Sequence, residues 1–305
     1  MAETSVNFAV ALRATAECLG MFAAETGLFA ANGIDFRLKG FETAAEKGMA
    51  GLKDGSWDYL EIGMTPLIPR IVDGQDPVVL LATTAVNSNF LMGHRDVTDI
   101  AMLQGGRIGC LSNTGQTAFA ANTVLSKYGV ADGVELVALG TYPAIFAAVA
   151  DGEVQGAILA ADYRFHGAVH HGMNALADIG AATGLPGTAL ISTRHVVSRE
   201  PELTLGIVRT YVQVIQRFKT DPDTAIPFLH RHLNIDDADV VAGIHGYFAD
   251  TFERLPYPLA ANLQVAIDET AKKRPEAARL TPADLVDTRF LDAVKAEGLI
   301  EQLYG

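Results

Sequence analysis

Arg107-Ile108-Gly109-Cys110-Leu111-Ser112-Asn113-Thr114-Gly115-Gln116-Thr117 is the stretch whose reading decides the fold. A short apolar run gives way to small polar residues and then to an Ala-rich helical pattern, so it reads as strand, turn and helix start. Ser112, Asn113, Thr114 and Thr117 are residue types that cap helices, and N–H groups left uncapped at such an end point outward with partial positive charge. Such an end either caps itself, through Ser112 or Thr114, or holds the oxygens of a ligand. Ser112, Asn113, Thr114, Gly115 and Thr117 are therefore candidate ligand contacts.

The same alternation runs outward in both directions. Toward the N-terminus, Val6 to Ala11 reads as a strand, and Leu19, Phe22, Ala23, Thr26 and Ala30 share one helical face that Asn32-Gly33 stops. Ile34, Phe36 and Leu38 alternate with polar residues as a strand ended by Gly40. Glu42 to Lys53 reads as a helix, Trp57 to Ile62 as a strand, Pro66 to Val72 as a short helix and Pro77 to Ala82 as a buried strand. Strands alternating with helices predict an α/β fold with mostly parallel sheets flanked by helices.

The middle of the chain echoes the beginning. Strand Ile34–Leu38, Gly40, helix, Asp54-Gly55, strand Asp58–Ile62 is matched by strand Val134–Val137, Gly140, helix, Asp151-Gly152, strand Gln155–Leu159. Two lobes of one plan are expected: residues 1–85 with 188–305, and residues 86–187. Two crossings, Thr83 to Met92 and Gly184 to Ser192, would join them as a hinge, with the cleft as pocket. From Pro201 onward the chain reads as nearly all helix, with Leu203, Ile207, Tyr211, Val214 and Phe218 on one face, packed back on the first lobe.

Composition narrows the partners. The chain has 305 residues, 49% of them hydrophobic, and a formal net charge of −13. That balance argues against nucleic acid and anionic membrane surfaces, which call for clustered Lys and Arg, and favours a small-molecule ligand. No apolar run reaches the roughly 18–20 residues of a membrane helix. Ala9-Val10-Ala11-Leu12 lacks the basic residues that open an export signal. The chain is thus expected to be periplasmic if it is a mature form, and cytoplasmic if Met1 is the native start. Cys18 and Cys110, far apart, form neither a disulfide framework nor a zinc pattern.

Phe22-Ala23-Ala24-Glu25-Thr26-Gly27-Leu28-Phe29-Ala30-Ala31-Asn32-Gly33-Ile34-Asp35-Phe36 resembles the N-terminal signature of the nitrate/sulfonate/taurine-type substrate-binding proteins of ABC importers, relatives of the pyrimidine-synthase-like proteins. Gly51 to Asp58, Gly63-Met64-Thr65-Pro66, Gly105 to Gly109 and Asp151 to Ala157 resemble further landmarks of that family in the same order. The resemblance implies a two-lobed type II periplasmic-binding fold that captures a small polar organic ligand between its lobes and presents it to an ABC permease; from the residue patterns neither a cofactor nor a metal is expected. Carried over by position, it implies ligand contacts at Arg13, Met64, Thr65, Asn87, Ser88, the Ser112–Thr117 turn and Asp162. Arg13 reads equally well as a surface ion pair, and Asp162 as a helix N-cap. Glu61, a carboxylate in an apolar strand, needs a partner or water; with Glu42 it could line the edge of the first lobe and favour a cationic or N–H-rich ligand.

By the same resemblance, cytosolic enzymes use this fold. A sulfinate desulfinase would carry a nucleophilic cysteine after the first strand, where this chain has Ala14, and Cys18 falls one helical turn later. The Cys-rich stretch of the pyrimidine-forming proteins is absent. A decarboxylase, which requires only an Arg and a well-placed acid, remains open, as does a soluble ligand sensor. His166 and His170 share a helical face beside His171, but no His-Glu-x-x-His, Walker loop, dinucleotide fingerprint or Gly-x-Ser-x-Gly elbow occurs.

Overall fold

The computed structural model describes residues 4–42 and 45–305. Its strands, in chain order, are β1 (Thr4–Val10), β2 (Ile34–Phe41), β3 (Tyr59–Gly63), β4 (Pro77–Ala82), β5 (Asn89–Gly93), β6 (Arg107–Cys110), β7 (Glu135–Ala138), β8 (Gly156–Ala160), β9 (Asn174–Asp178) and β10 (Thr188–Thr193). The helices that position the site are α1 (Leu19–Glu25), α2 (Leu28–Ala31), α3 (Ala45–Asp54), α4 (Leu67–Val72), α5 (Gln116–Lys127), α6 (Tyr142–Ala150), α7 (Ala161–His171), α8 (Ile179–Thr183), α9 (Arg194–Arg199), α10 (Pro201–Thr220) and α11 (Pro222–Leu233). The chain divides into two compact units, Met1–Ala85 with Pro186–Gly305, and Val86–Leu185.

Each unit is built on a five-stranded sheet among the described residues, ordered β2-β1-β3-β10-β4 in the first and β7-β6-β8-β5-β9 in the second. The orders correspond strand for strand. In each sheet one strand, β10 or β5, runs antiparallel to both of its neighbours. These two strands lie within the segments read as plain crossings. Asn89–Gly93 and Thr188–Thr193 are buried throughout, and a short buried apolar run gains more from pairing its backbone in a sheet than from crossing open.

Other departures are local. The single helix expected after Arg13 breaks into α1 and α2 at Gly27, which takes a left-handed φ of 74° and turns the chain. β2 continues through Gly40 to Phe41, because a register shift between Phe8 and Ala9 on β1 absorbs the extra residue. The helix expected from Glu42 is described from Ala45 onward, and Thr43 and Ala44 of that segment lie outside the described residues.

The core of the first unit is aromatic. Phe8 stacks on Tyr59 with ring centroids 5.2 Å apart, and Phe29 on Phe36 at 5.0 Å. The long helix α10 closes this layer with Ile207, Tyr211, Val214 and Phe218, the predicted face; Thr204 is buried on it while Leu203 is only half-buried. In the second unit β8 is apolar throughout, Gly156-Ala157-Ile158-Leu159-Ala160, and fully buried.

Candidate ligand-binding edges

In an open α/β sheet, ligands bind beyond the C-terminal ends of the parallel strands. In the second unit, β6 and β8 end at one edge, and antiparallel β5 begins there, with Asn89 opposite Ala160. This edge gathers Asn87, Ser88, Ser112 to Thr117 and Asp162. The turn after β6 is not capped as its sequence suggests. Gly115 is the N-cap of α5 and no side chain caps the helix. Ser112 Oγ accepts instead from the Gly115 N–H at 3.0 Å, and Thr117 Oγ1 turns back to accept from the Leu111 N–H at 2.9 Å. Both hydroxyls brace the turn and leave the helix start without a side-chain acceptor. Asn113 and Thr114 are exposed at its tip.

Asn87 is only 3% exposed. Its Oδ1 accepts from the Asn89 N–H at 2.9 Å, which fixes the amide, and its Nδ2 is buried without an acceptor. An amide donor in that position is costly unless something supplies an oxygen. Gly180 of α8 makes the arrangement possible, since a Cβ there would lie 2.4 Å from the Asn87 carbonyl oxygen. Tyr142, at the start of α6, donates to Asn89 Oδ1 at 3.4 Å. Asp162 is the second residue of α7 and not its N-cap, which is Ala160; it is 1% exposed. Burial, reinforced by the Asp162 charge, pushes the Tyr163 phenol up to about 12. Asn89, Tyr142 and Arg164 are further polar members of this edge, outside the candidate contacts read from the sequence; the start of a strand at Asn89 was the missing signal.

In the first unit β1, β3 and β4 end together, and β10 begins at that edge. Arg13 follows β1, while Met64 and Thr65 follow β3, the Met64 N–H donating to the Gly187 carbonyl at 2.9 Å. Arg13 is exposed and makes no ion pair among the described residues; its guanidinium lies 4.2 Å from the centre of the Phe41 ring. The Met64 and Thr65 side chains are buried. The edge also holds a saturated hydroxyl network: Thr83 Oγ1 donates to the Ala16 carbonyl at 2.8 Å, the Thr188 N–H to Thr84 Oγ1 at 3.0 Å, and Thr188 Oγ1 to Glu17 Oε1 at 3.2 Å. Beside Arg13, burial and then the guanidinium charge push the His232 imidazole of α11 down to about 4, against a raising hydrogen bond with the Ala14 backbone.

Glu61 does not line this edge. It is fully buried inside the unit, where Oε1 accepts from the Tyr211 hydroxyl at 2.6 Å and the Gly20 N–H at 3.0 Å. Burial pushes its carboxyl up to about 8, against the lowering effect of those two donors. At neutral pH it is a protonated internal acid that ties β3 to α1 and α10. Cys18 is wholly buried at the start of α1, and burial pushes the Cys110 thiol up to about 11; neither is placed as a nucleophile. The His166 and His170 rings lie 4.9 Å apart. Among the described residues no cluster of His, Cys, Asp and Glu has the geometry to hold a metal ion, and no helix is long and apolar enough to cross a membrane.

No protein-family model matches the sequence, and no curated protein does. Solved structures do. A protein from Bordetella bronchiseptica RB50 superposes with a TM-score of 0.83 at 16% identity, covering 97% of this chain and 98% of that one. The periplasmic aliphatic sulphonate binding protein SsuA from Escherichia coli gives 0.74 at 15% identity over 93% and 92%. The alkanesulfonate-binding protein SsuA from Xanthomonas axonopodis pv. citri, bound to MOPS, gives 0.72 at 18% over 94% and 97%. Likeness at such identities carries the fold and nothing finer: the chain has the periplasmic-binding-protein fold, two α/β units of one strand plan.

Proposed function

We propose that this chain is a solute-binding protein that takes up a small polar organic anion for an ABC-type importer and releases it unchanged to a permease. The observation that carries this reading is the unmet donor set of the second unit: the buried Asn87 Nδ2 and an α5 start without a side-chain cap. Donors of that kind call for a ligand rich in acceptor oxygens. Two of the structural neighbours are named for binding sulfonates, and a sulfonate head presents three such oxygens. On this reading Arg13, Met64, Thr65, Asn87, Ser88, Ser112, Asn113, Thr114, Gly115, Thr117 and Asp162 contribute the ligand contacts of the two edges, and the protein works in the periplasm.

The test is a thermal-shift and calorimetric screen with ethanesulfonate, taurine and MOPS, followed by mass spectrometry of the recovered ligand. A stabilising ligand raises the melting temperature by mass action and comes back intact, and Asp162→Asn alters affinity alone. Turnover that disappears in Asp162→Asn while binding persists would make the protein a lyase on this fold instead.

A further inference from the structure

Asparagine amides in this chain are mostly spent on the fold. Asn32 Nδ2 donates to the Leu28 carbonyl, Thr210 Oγ1 and Gln213 Oε1 at 2.9, 3.0 and 2.8 Å. Asn122 Nδ2 donates to the Ala118 carbonyl at 2.9 Å, and Asn174 Nδ2 to the carbonyls of Arg95 and Val97 at 3.1 and 3.0 Å. Asn87 and Asn89 of the second unit behave differently. They are 3% and 8% exposed, and in both it is the amide oxygen that the fold uses. Asn87 Oδ1 accepts from the Asn89 N–H at 2.9 Å, and Asn89 Oδ1 from the Tyr142 hydroxyl at 3.4 Å. Asn87 Nδ2 is buried without an acceptor, and Asn89 Nδ2 meets none among the described residues. The two amides are neighbours, since the first is bonded to the backbone of the second, and both stand at the edge where β6 and β8 end.

A buried amide nitrogen without an acceptor is costly until a ligand supplies one. With both oxygens engaged, nitrogen is all that this pair has to offer. Such donors accept an oxyanion whose oxygens are all bare. They penalise a head group that keeps a proton, because an O–H set against an N–H leaves two donors without an acceptor. Tyr142, at the start of α6, decides which end of the Asn89 amide is presented: while its hydroxyl holds Oδ1, the amide does not turn over to offer an acceptor instead.

We infer that Asn89, positioned by Tyr142, joins Asn87 in a donor-only amide pair through which the second unit selects oxyanions without a proton, sulfonate or carboxylate heads, over hydrogen-phosphonate heads. The inference rests on the solute-binding reading above, deepens it by naming what is discriminated, and involves the second unit alone.

The experiment is titration calorimetry of the full chain at about pH 6 with ethanesulfonate, propanoate and ethylphosphonate, which share one ethyl group and of which only the last keeps an O–H. The tighter of the first two binds about tenfold or more tightly than ethylphosphonate, and which of them it is distinguishes a sulfonate head from a carboxylate. Asn89→Asp, which exchanges the donor for an oxygen in the same outline, lowers that affinity about tenfold. Tyr142→Phe frees Asn89 Oδ1 and narrows the preference against ethylphosphonate, a change of ratio that a merely structural role for Tyr142 would not produce; it carries the decision should Asn89→Asp fail to fold. Ethylphosphonate binding as tightly as the others, or a preference that Tyr142→Phe leaves at its wild-type size, overturns the inference and leaves the solute-binding reading in place. If none of the three binds, the inference falls; if taurine and MOPS fail as well, the solute-binding reading falls with it.

Discussion

The edges of the two units are made by one topology and finished differently. In the first, the hydroxyls of Thr83, Thr84 and Thr188 are bound to the Ala16 carbonyl, the Thr188 N–H and the Glu17 carboxylate in turn, and the open element is the cation of Arg13. In the second, Ser112 and Thr117 bend inward to brace a turn, and the helix start and the Asn87 amide keep donors in hand. Sheet order therefore decides where polar residues collect, since the strand ends are where the backbone leaves the apolar layer. It does not decide whether they satisfy one another. The same contrast runs through the cores: in the sequence repeat Glu61 of β3 corresponds to Ile158 of β8, an internal acid in one unit against an apolar side chain in the other.

That last difference predicts the largest effect. Glu61 has its pKa raised from 4.5 to about 8 in the folded chain, so the native state holds the extra proton and the contribution of this group to stability falls as pH rises from about 4.5 to 8. Glu61→Gln removes the fall and stabilises the protein at pH 8 by on the order of a few kcal/mol, read from chemical denaturation at several pH values. His232 works in the opposite sense: with its pKa lowered from 6.5 to about 4, stability is lost as pH drops through that window, and His232→Phe flattens that limb. Between about pH 4.5 and 6.5 the two contributions oppose one another, so the fall shows from pH 6.5 to 8, and a wild-type profile level over that upper window would remove the internal acid from the comparison.

Next comes Gly180→Ala. The new Cβ meets a backbone oxygen at 2.4 Å, that of Asn87, and backbone cannot swing aside as a side chain can, so we expect a loss of about 1–3 kcal/mol in a thermal melt. Gly206→Ala in α10 of the first unit finds only Ile34 Cδ1 at 3.6 Å and should instead gain about 0.5–1 kcal/mol from helix propensity.

The edges themselves separate under a pair of smaller changes. Asn87→Ala removes an unmet donor, so ligand affinity should drop about tenfold. Thr84→Val removes an acceptor already in use by the Thr188 N–H and should cost about 1 kcal/mol of stability while calorimetry shows unchanged affinity. Equal effects of the two on binding would erase the distinction between a saturated edge and an open one. Thr117→Ala, which strips the Leu111 N–H of its acceptor, is expected to cost about 1 kcal/mol with a weaker effect on binding than Asn87→Ala.

Alternating strand and helix patterns, the Gly-terminated turns and the internal echo were legible in the residues, because apolar periodicity and glycine's freedom are properties of a few consecutive positions. The sequence alone thereby determined an α/β chain of repeated plan, acidic overall and without a membrane-length apolar run. Only the tertiary structure decided the rest. Whether Asn89–Gly93 and Thr188–Thr193 cross or join a sheet depends on which strands stand beside them. Whether Ser112 caps a helix or props Gly115 depends on how β6 delivers the turn. Whether Glu61 meets water or Tyr211 depends on α10, 150 residues away. A side chain's partner is set by contacts between segments distant in sequence, and local patterning cannot encode which of several equally polar neighbours will be within reach.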